Sequence, residues 1–148
     1  MYSEAGNIST TTRSTSQGPS NPIAPALSRI GCDWREKAIR RLTDLALLRM
    51  GWDGHQGLPL DRDTMEFAVT IIAGLMRPSV PIPSIVPLSY GGLQIEWHRN
   101  GWDVEIEFIA PYEVEVYEKD VRTGEDKVFP LTRDFRALDE VIEKIKKL

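Results

Sequence analysis

Apolar and polar residues alternate from Leu93 to Phe108 with one interruption. Leu93, Ile95 and Trp97 alternate with Gln94, Glu96 and His98, and after Asn100-Gly101 the residues Trp102, Val104, Ile106 and Phe108 alternate with Asp103, Glu105 and Glu107. A period of two marks a half-buried strand, and Asn-Gly between two such runs supplies the left-handed pair that a tight hairpin turn needs. A two-residue turn pairs Arg99 with Trp102. That register places Trp97 opposite Val104, Ile95 opposite Ile106 and Leu93 opposite Phe108 on one face, with Glu96 opposite Glu105 and Gln94 opposite Glu107 on the other. Ala110-Pro111 predicts a bend, after which Val114 and Val116 carry the apolar face onto a third strand. If Phe108 pairs with Val114, Glu107 faces Glu115. Thr123-Gly124-Glu125 reads as another turn and 127–131 as a short further strand.

On both sides of this region the period becomes helical. Ala38, Leu42, Leu45 and Leu48, with Ile39 and Ala46 beside them, form an apolar stripe that predicts a first helix. Asp33 opens it with Glu36 as reciprocal cap, and Gly51 is the expected stop. Met65, Ala68, Val69, Ile72, Leu75 and Met76 predict a second helix, starting near Asp61 or Asp63 and halted by Pro78. Phe135, Leu138, Val141, Ile142, Ile145 and Leu148 predict a last one, capped by Thr132, with Lys144, Lys146 and Lys147 at the end where the helix dipole favours cations. Between the first two helices, Gly51-Trp52-Asp53-Gly54-His55-Gln56-Gly57-Leu58-Pro59 forms a corner: Trp52 a core anchor, Asp53-Gly54 a turn, Pro59 the preface to the next helix. Pro78, Pro81, Pro83 and Pro87 make an extended connector or a sheet-edge strand over 84–88. The chain thus reads as α+β: two N-terminal helices, an antiparallel β-meander of three to five strands and a C-terminal helix, with the helices on one sheet face and water on the other.

Composition divides the chain. Residues 1–30 are dominated by Ser, Thr, Gly, Pro and Asn and read as a disordered tail, which leaves 31–148 as a single domain. One cysteine, Cys32, excludes an intramolecular disulfide and a Cys-rich metal site, and a reducing cytoplasm is the expected compartment. No apolar run reaches membrane-spanning length, so no membrane partner is expected. No phosphate-binding glycine loop is present and the two histidines, His55 and His98, stand far apart, so no cofactor and no metal is expected. The net charge of −4 argues against direct nucleic-acid binding.

The placement of that charge is more informative than its total. Residues 88–118 hold seven carboxylates (Asp103 and six glutamates) against Arg99 alone, and the alternation assigns them to the solvent side of the meander. A solvated face with edge protection is the plain reading. The sharper one is a small non-catalytic binding or regulatory protein, antitoxin-like, that engages a basic protein partner through Glu96, Glu105, Glu107 and Glu115, with Trp52 and Asp53 shaping a second surface. The alternative is a small metal-dependent hydrolase or nuclease-like enzyme built on His98, Asp103 and Glu105. No serine sits in a strand–turn–helix elbow to serve as a nucleophile. A homo-oligomer joined through an exposed strand edge is a third possibility.

Trp52-Asp53-Gly54 leading to Leu58-Pro59, followed by a proline-rich connector into Gly91-Gly92-Leu93-Gln94-Ile95-Glu96-Trp97, resembles a group of small uncharacterised bacterial proteins with scattered, mobile-element-like distribution. The resemblance covers roughly residues 45–118. It implies no known reaction and transfers no functional residue. Where that group has an aromatic residue or alanine after Trp-Asp-Gly, this chain has His55 and Gln56.

Overall fold

A computed structural model describes residues 34–146. The expected tail over 1–30, Cys32, the Asp33 cap, Lys147 and Leu148 lie outside the described residues. The elements run α1 (Trp34–Ala46), α2 (Arg62–Leu75), β1 (Ser84–Pro87), β2 (Leu93–Arg99), β3 (Trp102–Ala110), β4 (Glu113–Asp120), β5 (Asp126–Leu131) and α3 (Ala137–Ile145). The strands form one five-stranded antiparallel meander in sequence order.

The hairpin register follows from its turn. Arg99 pairs with Trp102, Trp97 with Val104, Ile95 with Ile106 and Leu93 with Phe108. Asn100 and Gly101 have φ of 55° and 76°, the left-handed pair expected of Asn-Gly. Asn100 also reaches out of the turn: its Nδ2 donates to the Lys146 carbonyl at 2.8 Å, tying the hairpin to the end of α3. Phe108 pairs with Val114, and the register then shifts so that Ala110 meets Glu113.

The core lies between the inner sheet face and the helices. Leu93, Ile95, Trp97, Val104, Ile106, Phe108, Val114 and Val116 are buried from the sheet, and Leu42, Leu45, Ala68, Ile72, Leu138 and Ile142 from the helices. The proline-rich connector is drawn into this core. Trp97 Nε1 donates to the Pro81 carbonyl at 2.8 Å, and β1 then pairs Ile85 with Ile95. On the outer edge of β1, Arg41 Nε donates to the Ile85 carbonyl at 2.7 Å, occupying an acceptor that would otherwise invite a further strand.

Two helix ends differ from expectation. α1 stops at Ala46, ahead of Gly51, because the next amides, Leu47 and Leu48, turn back to the carbonyls of Asp44 and Leu45 and tighten the last turn. Gly51 instead serves the corner, with φ of 79° and its amide on the Gly57 carbonyl at 2.8 Å. α3 begins at Ala137, not at Thr132. Asp134 accepts from the Arg136 amide at 3.0 Å, and Phe135 is held by Phe67 at 5.7 Å between ring centroids, so the chain is committed to a packed turn before the helix starts. α2 starts as expected: Asp61 caps it by accepting from the Thr64 amide at 2.8 Å and the Thr64 hydroxyl at 2.7 Å.

Candidate functional site

Among the described residues no helix covers the other face of β2, β3 and β4, and the register decides what stands there. Glu96 is opposite Glu105, and Glu107 is flanked by Gln94 on one side and Glu115 on the other. Glu96, Glu105 and Glu107 are half-buried among their neighbours and Glu115 is exposed. Two of these carboxylates receive a neutral donor: Gln94 Nε2 donates to Glu96 at 2.9 Å, and the Tyr90 hydroxyl donates to Glu107 at 2.8 Å. Burial and then the Glu107 carboxylate push the Tyr90 phenol above its ordinary range. Glu105 titrates above the usual glutamate value, first because it is partly desolvated and then because Glu96 stands across the ladder. The four glutamates therefore form one contiguous group across three strands.

The next row carries His98, Asp103 and Lys119. His98 Nδ1 lies 2.8 Å from Asp103 Oδ1, and this contact raises the imidazole pKa above its ordinary value, against the opposing effect of burial. His98, Asp103 and Glu105 are thus neighbours on one face. Among the described residues no group of three or more His, Cys, Asp or Glu side chains is placed to hold a metal ion.

The corner that carries Trp52 and Asp53 is closed by its own polar groups. Asp53 Oδ1 accepts from the amides of His55 and Gly57, each at 2.9 Å, and these bonds hold its carboxyl below the ordinary aspartate value. The indole N–H of Trp52 donates to the Leu58 carbonyl at 2.8 Å. Trp52 is half-buried, not a core residue, so its role is to lock the loop. The corner then docks by backbone onto the turn between β1 and β2: Leu58 N–H donates to the Ser89 carbonyl at 2.7 Å, and Asp61 N–H to the Gly91 carbonyl at 2.8 Å. The Trp-Asp-Gly corner and the Gly-Gly step are therefore two halves of one junction, and Tyr90 within it reaches the glutamate face.

A further assignment made from sequence is corrected. Glu118 does not belong to the solvent face. It pairs with Val104 on the inner face and is 1% exposed. Strand parity was the signal that could have found it, since Val114 and Val116 face inward and Glu118 is the next residue of that phase. Its Oε2 accepts from Lys144 of α3 at 2.7 Å and forms an ion pair with Lys127 of β5 at 3.0 Å. The Lys144 ammonium lies 4.5 Å from the Trp102 ring centroid.

Comparison with protein families, with curated proteins and with solved structures finds no match to this chain. Among the described residues no helix is long and apolar enough to cross a membrane.

Proposed function

We propose that the protein is a binding protein of regulatory, antitoxin-like type, which engages a basic protein through Glu96, Glu105, Glu107 and Glu115. The observation that supports this reading is the pairing of like charges directly across the ladder, Glu96 with Glu105 and Glu107 with Glu115. Facing like charges destabilise a sheet. A basic partner relieves that repulsion on docking, so the free energy stored in the uncomplexed face is returned as affinity and selectivity. Trp52 and Asp53 keep the adjoining corner rigid, and this corner forms a second surface at the edge of the first.

The test is co-purification of basic proteins from cells with the full chain and with a Glu105→Lys/Glu115→Lys variant. A partner held by the native chain and lost from the variant, with circular dichroism unchanged, is the expected result. Equal recovery with both chains overturns the proposal. The 2.8 Å His98–Asp103 contact favours a second reading, a metal-dependent hydrolase or nuclease-like enzyme using His98, Asp103 and Glu105. Stoichiometric uptake of Mg²⁺, Mn²⁺ or Zn²⁺ in calorimetry, removed by His98→Ala, would replace the first reading with this one.

A further inference from the structure

The carboxylate of Glu118 is unevenly satisfied. Its Oε2 takes both ammonium groups, Lys144 at 2.7 Å and Lys127 at 3.0 Å. Its Oε1 is buried and, among the described residues, has no hydrogen-bond partner. A buried acceptor in this state carries a desolvation penalty that one further donor would remove. Glu118 also lines a hollow of about 660 Å³, together with Trp102, Lys127, Lys144, Asp120, Glu125 and Asp126.

We propose that this hollow is a site for a guanidinium group, with Glu118 as its counter-ion. The charge of the lining excludes an anion, since four carboxylates outnumber two lysines and both lysines are turned onto Glu118. Among the other lining carboxylates Asp120 is already used: Arg122 holds it through two parallel bonds at 2.9 and 2.8 Å, a fork-to-fork pair formed by the chain itself. A further ammonium is a poor complement to Glu118, because a point donor cannot serve both oxygens and Oε2 already faces two such cations. A guanidinium is planar and presents parallel N–H groups that match both oxygens of one carboxylate.

The two lysines differ in a way that allows entry. The Lys144 side chain is 27% exposed and clamped between Glu118 and Trp102, whereas that of Lys127 is 60% exposed on the edge strand. Lys127 is the group that swings out. The site lies on the inner side of the sheet, so it stands or falls independently of the glutamate face. A guanidinium reaches it either on a free small molecule or on the arginine side chain of another protein.

The experiment is calorimetry on the full chain with agmatine and with putrescine, which lacks the guanidinium. Agmatine is expected to bind saturably with one-to-one stoichiometry, and putrescine at least about tenfold more weakly, as a charge-assisted fork requires. Lys127→Ala is expected to tighten agmatine several-fold by removing the competitor. Glu118→Gln is expected to weaken it by about 10- to 100-fold, the loss of one charged hydrogen-bonding partner. Should Glu118→Gln fail to melt cooperatively, Lys127→Ala decides alone, and unchanged affinity there overturns the proposal. Absence of saturable heat from agmatine, or equal binding of putrescine, also overturns it. A capped Gly-Arg-Gly tripeptide that binds more tightly than agmatine supports the site and assigns it to a protein arginine; weaker binding supports it as a site for a free small molecule.

Discussion

At the scale of single residues, the glycine and glutamate positions carry the sharpest consequences. A Cβ on Gly92 would stand 2.5 Å from the Phe108 carbonyl oxygen and 2.8 Å from the Tyr90 ring. The first of these is backbone of the central hairpin and cannot move aside cheaply. Gly92→Ala is therefore expected to cost about 2 kcal/mol, the range for forcing an extra carbon into a packed site, read as a lower midpoint in urea. Gly124→Ala is the contrasting control, because its Cβ meets no atom within 4 Å and only its φ of 79° opposes the change. Glu105 gives a prediction whose sign depends on pH. Its folded-state pKa is raised by burial and by Glu96, so the charged form is disfavoured in the fold. The resulting penalty is absent below the ordinary glutamate pKa, where Glu105 is protonated folded or unfolded, and grows as pH rises through the folded value. Glu105→Gln should accordingly stabilise the protein at pH 7 by about 0.5 kcal/mol and give no gain near pH 3.5, measured by thermal melts at both values.

Elements were legible where the signal was local and repeated, and illegible where a single residue had to report a tertiary event. Asn100-Gly101 and the alternation around it specify turn, register and face together, and each of those features is present in the hairpin. The same alternation holds the glutamate group, since Glu96, Glu105 and Glu107 follow from the turn alone. Gly51 and Thr132 carried equally familiar signals and did not end or begin a helix. Gly51 was recruited by the Gly57 carbonyl, and the segment after Thr132 was held by the tilted ring contact of Phe135 with Phe67, contacts that no helix-end pattern encodes. What the hairpin signal did not reveal is its second task. Asn100 donates to the carbonyls at the end of α3, where helix acceptors lack partners. Asn100→Gly keeps the positive φ and removes that donor. It is expected to leave the hairpin register intact and to destabilise the fold by about 1 kcal/mol, with faster amide exchange in the last turn of α3.

For the whole molecule, one five-stranded sheet separates two unlike chemistries. Its solvent side gathers carboxylates that, among the described residues, have no ammonium partner in the central rows, while its inner side ends the apolar core in the charge-compensated Glu118 cluster. The two must answer mutation in opposite ways. Neutralising a glutamate outside removes repulsion and stabilises. Removing Lys144 inside leaves Glu118 buried with only the more exposed Lys127, and breaking such a pair is expected to destabilise by about 2–3 kcal/mol, below the full range because one cation remains. The bottom of the core also explains why an ion cluster is tolerated there: Lys144 lies over Trp102, so its stem and ammonium fill apolar space that an uncharged short residue would leave open. If the cluster serves a site and not the fold, replacing charge by volume should rescue stability while abolishing ligand. Lys144→Met alone should lower the urea midpoint. Glu118→Leu with Lys144→Met should recover most of that loss, giving a coupling of about 2 kcal/mol in the double-mutant cycle, because the desolvated charge and its partner leave together. Agmatine binding should not return with the stability. A double variant that stays as unstable as Lys144→Met would show instead that the cluster is an indispensable part of the core.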